Sequence, residues 1–283
     1  MRVLIACEYS GIVRDAFLEK GHDAMSCDLL PTESPGPHFQ GDVRDILDGW
    51  KPVVFAFDML ECDCCEEPFC PEHNMHYWEC HCYGPTQDDL EYEEINGVLM
   101  ARPIDSPHWD LMIAHPDCTY LTCSAEWAYK DGPYHQKVKP ETLVGESRRI
   151  AREEALSFVD TLFKAPIKRK AIENPRGVIS TRIRKASQYI QPYEYGDDAS
   201  KITGLWLDGL PLLRPTQKVP GRIVEWPKGS GKMVERWGNQ TDSGQNKLTP
   251  GPNRWKERAK TYQGIANAFA EQWSFSPTQK GLF

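Results

Sequence analysis

Arg2-Val3-Leu4-Ile5-Ala6-Cys7-Glu8-Tyr9-Ser10-Gly11-Ile12-Val13 holds a strand, a turn and the start of a helix. The run Val3-Leu4-Ile5-Ala6 is apolar without alternation, which suits a strand buried on both faces. Ser10-Gly11 then opens a helix in which Ile12, Val13, Ala16 and Phe17 share one face, and Gly21 supplies its stop. The pattern predicts a second strand over 23–27, ending in Asp28. A third follows over 38–40, ending at Gly41-Asp42, after a turn rich in proline (Pro31, Pro35, Pro37). Strand, helix, strand, with a polar turn after each strand, begins a doubly wound α/β sheet.

The rhythm stops after Asp42 and resumes at Trp109-Asp110-Leu111-Met112-Ile113-Ala114, another buried strand, which ends at His115-Pro116-Asp117-Cys118. A helix is predicted over 146–164, with Ala151, Ala155, Phe158, Val159 and Leu162 on one face. Lys170-Ala171-Ile172 reads as a strand ending at Glu173-Asn174-Pro175. Trp255, Ala259, Tyr262, Ala266, Phe269 and Trp273 predict one last helical stripe, and 215–253, rich in Gly, Pro, Lys and Trp, reads as loop and hairpin.

Charge is unevenly placed. The 283 residues carry 33 basic and 41 acidic side chains, a net −8 that by itself argues against a nucleic-acid partner. Yet twelve of those acids lie in 58–101, where there is no Lys or Arg, and without that stretch the chain is +4. From 139 to 258 the balance is +9. No run reaches the roughly 18 apolar residues of a membrane helix, and the apolar start is too short for a signal peptide. Ten cysteines without an export signal therefore point to reduced thiols in a cytoplasmic setting, for metal binding or catalysis.

The acidic stretch also holds Cys62, Cys64, Cys65, Cys70, His73, His76, Cys80 and Cys82 within 21 residues. Cys62-x2-Cys65 and Cys70-x2-His73 have the knuckle spacing of structural zinc sites, and Cys80-x-Cys82 closes the loop. The expectation is one or two structural Zn²⁺ ions, with Cys62, Cys65, Cys70, His73, Cys80 and Cys82 as ligands. The bland reading is unliganded surface thiols. A segment with so few apolar residues needs metal to fold.

Ligands of open α/β sheets bind beyond the carboxyl ends of the strands. Here those ends carry Glu8 and Gly11, Asp28, Asp42, Cys118, and Glu173 with Asn174. An acid after the second strand can hold ribose hydroxyls, though each acid is equally suited to a turn or helix cap. Cys118, in a polar loop at a strand end, is a candidate nucleophile. As a bland alternative it is a small buried apolar residue. Asp117 disfavours its thiolate if the carboxylate points at the sulfur.

Taken in order, these motifs resemble those of the DNA (cytosine-5) methyltransferases, especially short members encoded by phages and prophages. Tyr9-Ser10-Gly11 is similar to the family's cofactor loop, and Gly41-Asp42-Val43 looks like its Gly-Asp-Ile. The strand into His115-Pro116-Asp117-Cys118 resembles the one leading to the Pro-Cys catalytic loop. Glu173-Asn174-Pro175 is similar to Glu-Asn-Val, and Ser180-Thr181-Arg182-Ile183-Arg184 looks like Gln-x-Arg-x-Arg. Gly264-Ile265-Ala266-Asn267-Ala268 echoes the last cofactor motif. The resemblance covers most of the chain outside 51–104. Asp117 stands where the family has proline, and Ser180 where it has glutamine.

The resemblance implies a Rossmann-like S-adenosylmethionine-dependent methyltransferase fold with a Cys/His-rich zinc-binding insertion. Its core would be 1–50 and 105–214, the insertion 51–104, a short target-recognition region 215–253, and 254–283 a C-terminal helix completing the core. The implied reaction is methyl transfer from S-adenosylmethionine, or a derivative, to C5 of a cytosine flipped out of DNA. Cys118 would add to C6, with Glu173 on N3 and the exocyclic amine, and Arg184, backed by Arg182, on O2. The cofactor residues implied are Glu8, Ser10, Gly11, Asp28 on the ribose, Asp42 on the adenine, and Asn267.

Lys218, Arg222, Lys228, Lys232 and Arg236, interleaved with Trp226 and Trp237, suit phosphate contact and base stacking with low sequence specificity. Two rivals share these residues. One is the same chemistry on RNA or nucleotides, or with a larger transferred group. The other is a silent scaffold that binds nucleic acid or protein.

Overall fold

Val3, Leu4, Ile5 and Ala6 are all fully buried, as a run without alternation requires, and they form the middle of a seven-stranded sheet. The computed structural model describes residues 1–53, 60–61, 68–70, 75–76, 89–105, 108–135, 137–138, 140–249, 251 and 254–274. It divides into two units, one of Met1–Gly41 with Asp110–Phe283, the other of Asp42–Trp109. The second unit is wider than the insertion expected at 51–104.

The first unit's sheet contains β1 (Arg2–Ala6), β2 (Asp23–Asp28), β3 (His38–Gln40), β4 (Leu111–Ala114), β5 (Lys170–Pro175), β6 (Gln188–Ile190) and β7 (Thr203–Asp208). Their order is β6-β7-β5-β4-β1-β2-β3. The five strands from β3 to β5 are parallel, β7 is antiparallel to β5, and β6 is antiparallel to β7. This is a mixed α/β architecture with a mostly parallel sheet, compatible with a Rossmann-like fold. From β1 the chain winds outward through β2 and β3, then returns to β4 on the other side of β1. The switch point of the sheet therefore lies between the carboxyl ends of β1 and β4.

Helices α1 (Ile12–Glu19), α2 (Gly145–Lys164), α3 (Ile179–Arg182), α4 (Arg254–Ala259) and α5 (Gln263–Trp273) complete the unit. Val3, Ile5, Ala24, Leu111 and Ile113 share one core with Val13, Ala16 and Phe17 of α1 and with Ile265, Phe269 and Trp273 of α5. Leu4, Met25, Met112 and Ile172, also buried, alternate to the opposite face. Of the face expected on α2, Ala151, Val159 and Leu162 are buried, while Ala155 and Phe158 are half-buried and Leu156 is buried in their stead.

The single stripe expected from Trp255 to Trp273 is instead two helices. Gly264 explains the break: a Cβ there would meet the Tyr195 carbonyl oxygen at 1.9 Å, and its N–H donates to Asp197 Oδ2 at 3.0 Å. The chain must turn to dock the start of α5 on this loop, which leaves Trp255 55% exposed while Trp273 is fully buried. The hairpin expected within 215–253 is present as β8 (Arg222–Glu225) and β9 (Met233–Arg236).

In the second unit, Lys51–Pro52, Leu90–Ile95 and Val98–Pro103 form one antiparallel sheet. Leu60–Glu61, Pro68–Cys70 and Met75–His76 form another. Of the expected zinc ligands, Cys62, Cys65, His73, Cys80 and Cys82 lie outside the described residues, and Cys70 closes a short strand. Among the described residues no group of three or more His, Cys, Asp or Glu could hold a metal ion, and no helix is long and apolar enough to cross a membrane.

Candidate active site

His115-Pro116-Asp117-Cys118 follows β4 out of the sheet and is tied to β5 at two points. His115 Nδ1 lies 3.1 Å from Glu173 Oε2, and Asn174 Nδ2 donates to Pro116 O at 2.7 Å. Further on, Val178 N donates to Leu121 O at 2.7 Å. A Cβ on Gly177 would meet that same oxygen at 1.9 Å, so glycine is what lets the 115–121 loop close on the end of β5. An ionised carboxylate only accepts, so the proton of the His115–Glu173 contact sits on Nδ1. His115 Nε2 and Asn174 Oδ1 are two of three buried side-chain polar atoms with no partner among the described residues. Buried polar atoms are rarely left without a partner, which a ligand, an ion or an ordered water supplies.

Burial works to raise the Glu173 carboxyl, but the His115 and Thr203 hydrogen bonds and the charges of Lys201 and His115 outweigh it, so its pKa lies below the ordinary carboxylate range. Glu173 is thus an ionised base beside the loop. Cys118 is the reverse case. Burial pushes its thiol up, Asp117 and Glu173 add to this, and Lys201 and Arg258 only partly oppose it. The Asp117 carboxylate is turned aside, with Oδ1 accepting from Thr119 N at 3.0 Å and Thr119 Oγ1 at 2.8 Å, but its charge still acts on the sulfur. Asp117→Asn keeps that turn and removes the charge. The pH profile of Cys118 alkylation, mapped by mass spectrometry with the exposed Cys123 changed to serine, is expected to move to lower pH, with several-fold faster reaction near neutrality. An unmoved profile contradicts this electrostatic account.

At the end of β1, Glu8 is 5% exposed. Its Oε1 accepts from Val13 N at 2.7 Å and Ser10 Oγ at 3.1 Å, and its Oε2 from Arg14 N at 3.3 Å. The protein's own carboxylate thus occupies the N-terminus of α1, the place where a phosphate would otherwise bind. A ligand at this switch point does not rest a diphosphate on that helix. Gly11 has φ +76°, and a Cβ there would meet Arg14 Nη2 at 2.5 Å. Its glycine serves the buried Arg14, which bonds Ser26 Oγ, Thr32 Oγ1 and the Ser34 carbonyl. Glu8, Ser10 and Gly11 therefore build the loop.

Asp28 ends β2 with Oδ1 accepting from Leu30 N at 2.9 Å, and burial raises its pKa. Tyr9 donates its hydroxyl to Lys256 O at 2.7 Å, and burial, with Glu33 nearby, pushes its pKa up to about 12. Lys260 reaches Glu33 at 2.9 Å. The segment between α4 and α5 thereby roofs the β1 loop. Under it lies a cavity of about 40 Å³ lined by Cys7, Glu8, Tyr9, Ser10 and His115, with Ala259, Lys260 and Thr261. A larger one of about 330 Å³, lined by Ile12, Asn239, Asn246, Leu248 and Tyr262 among others, shares Lys260 and Thr261 with it. The smaller holds about one water, so a nucleoside needs the larger space or a lifted roof.

Other nominated residues are placed elsewhere. Arg184 donates to Asp208 Oδ1 at 2.7 Å and lies 4.3 Å over the Phe163 ring. Asp208 pairs in register with Lys170, three positions before Glu173 on β5, which at strand rise is roughly 10 Å away. Arg182 is held 2.9 Å from Glu153 of α2, with both side chains about half exposed. Asn267 is exposed on α5, accepts from Gln263 Nε2 at 2.8 Å, and lines neither cavity. Asp42 opens the second unit, where it caps a short turn by accepting from Arg44 N and pairs with the Arg44 guanidinium. Trp237 is buried and stacked on Tyr193 at 3.9 Å, so it packs the protein instead of a base. Trp226 stays 38% exposed on the hairpin.

Four residues that the sequence reading did not nominate stand at the site: His115, Thr203, Lys201 and Arg258. No protein-family model matches the chain, and no curated protein matches it by sequence.

Proposed function

We propose that the protein transfers a methyl group from S-adenosylmethionine, or a related group from a derivative, to C5 of cytosine in DNA. The observation that carries this reading is one cluster at the carboxyl edge: the Cys118 thiol, the ionised Glu173, and the unpartnered polar atoms His115 Nε2 and Asn174 Oδ1. S-adenosylmethionine, when bound, supplies an electrophilic methyl group. Its adenosine carries no phosphate, in keeping with a helix N-terminus already filled by Glu8, and Asp28, at the end of β2, would accept from the ribose hydroxyls. Its ammonium group, or the 4-amino group of cytosine, brings an N–H donor suited to Asn174 Oδ1.

On this reading Glu173 accepts the Cys118 proton, and the sulfur donates its electron pair to C6. The displaced C5=C6 pair shifts through C4 to N3, which takes the proton from Glu173, and C5 becomes nucleophilic enough to accept the methyl group. The sulfonium would leave as the neutral thioether, and the cycle closes when C5 loses its proton to water, the C6–S bond breaks with its electrons returning to sulfur, and N3 gives its proton back through Glu173 to the thiolate. Zinc in the second unit, as one or two structural ions, rests on the ligand spacing of residues 62–82 alone. A DNA partner is supported by the basic balance outside 58–101 and by the exposed Trp226 among Lys218, Lys228 and Lys232.

Mass analysis of nucleosides after incubation with S-adenosylmethionine tests the reading. DNA is expected to yield 5-methylcytosine, while RNA and free cytidine nucleotides yield none. Product in RNA or nucleotide alone moves the substrate assignment, and no product in any of the three overturns the enzymatic reading in favour of a binding scaffold.

A further inference from the structure

The geometry assigns Lys201 as the cation of the Cys118–Glu173 centre, in the role that motif order gave to Arg184. This rests on the reading above and names the group that stabilises its charged states. β7 runs antiparallel to β5 with Thr203 opposite Pro175. Residues just before Thr203 therefore continue past the carboxyl end of β5, where Asn174 anchors the 115–118 loop. Lys201 stands there, held at both ends. Its N–H donates to Gln191 Oε1 at 3.0 Å, and its Nζ donates to Arg258 O at 3.0 Å.

Lys201 is half-buried, and among the described residues its Nζ has no carboxylate in ion-pairing distance. Arg182 and Arg184, by contrast, are each neutralised by an acid at 2.9 and 2.7 Å. The Lys201 charge acts on both partners, lowering the pKa of the Glu173 carboxyl and opposing the rise at Cys118. An unneutralised, partly desolvated ammonium acts more strongly than one in water. It favours the thiolate before addition and the negative charge that develops on N3 and O2 of the ring as the sulfur adds, ahead of proton transfer to N3.

Two readouts test this, one of which needs no methyl transfer. The charged groups facing Cys118 are Asp117 on its own loop, Glu173 on β5, Lys201 ahead of β7, and Arg258 on α4. In Lys201→Met the pH profile of Cys118 alkylation is expected to shift to higher pH, and in Lys201→Arg to stay near wild type. With DNA, kcat is expected to fall about 10²–10³-fold in Lys201→Met, as on removal of one charge-stabilising donor, with a smaller change in KM and partial rescue in Lys201→Arg. Circular dichroism checks the fold, and Lys201→Gln, which keeps a donor for the Arg258 carbonyl, replaces Lys201→Met should that variant unfold. An unshifted alkylation profile overturns the proposal, as does full kcat in the folded variant, or a loss seen in Arg184→Met alone. Should wild-type protein modify no cytosine, the functional reading falls, while the alkylation profile still decides whether Lys201 acts on Cys118.

Discussion

Cys118→Ala is expected to reduce cytosine modification to background, a loss on the order of 10⁴-fold or more of the kind seen when a covalent nucleophile is removed. S-adenosylmethionine binding, read by calorimetry, is expected to persist. The reason is geometric. The loop is tied to β5 by the Asn174 to Pro116 and His115 to Glu173 contacts, and its shape depends on the close approach at Gly177, none of which uses the sulfur. Cys118 is only partly buried, so truncation leaves a small cavity and costs at most about 1 kcal/mol. Cys123, the next thiol, lies five residues on and is exposed. A folded Cys118→Ala protein that keeps its rate would show that the sulfur is not the nucleophile.

Glu173→Gln is expected to lower kcat by about 10²–10⁴-fold, the usual scale for a positioned acid–base group. Glutamine keeps the volume and can still accept from His115 Nδ1, but it cannot take the thiol proton or deliver one to N3. The same substitution has a signature in stability. Because the folded-state pKa of Glu173 lies below that of an unfolded carboxyl, about 4.3, the wild type holds this stabilisation fully above that value. It loses it as pH falls through the folded pKa. Thermal unfolding from neutral pH into acid is therefore expected to be steeper in wild type than in Glu173→Gln. Equal slopes would show that the carboxylate is not held by His115, Thr203 and Lys201.

The centre of the fold was legible because parallel strands buried on both faces leave continuous apolar runs, as in Val3-Leu4-Ile5-Ala6 and Leu111-Met112-Ile113-Ala114. The position of Cys118 and Glu173 at or just beyond the carboxyl ends of parallel strands was legible for the same reason. β6 and β7 were not, since β6 spans only Gln188–Ile190 and β7 holds Gly204, whose Cβ would press on the Trp206 and Tyr189 rings at 3.0–3.1 Å. Missing β7 hid the placement of Lys201 ahead of that strand, at the carboxyl end of β5. Glu8 and Gly11 illustrate a different limit. Their types fit a ligand loop, yet one caps α1 and the other makes room for Arg14, and only side-chain geometry separates these roles. The net charge of −8 misdirects for a simpler reason, because its twelve clustered acids at 58–101 lie wholly within the second unit.

The most direct test is mass spectrometry of the nucleosides in bacterial host DNA after expression of the wild type or Cys118→Ala. Transfer to cytosine C5 through Cys118 predicts 5-methylcytosine, or a larger 5-substituted cytosine, with the wild type and none above host background with the variant. Host DNA identical in both cells, or modified equally by both proteins, would contradict it.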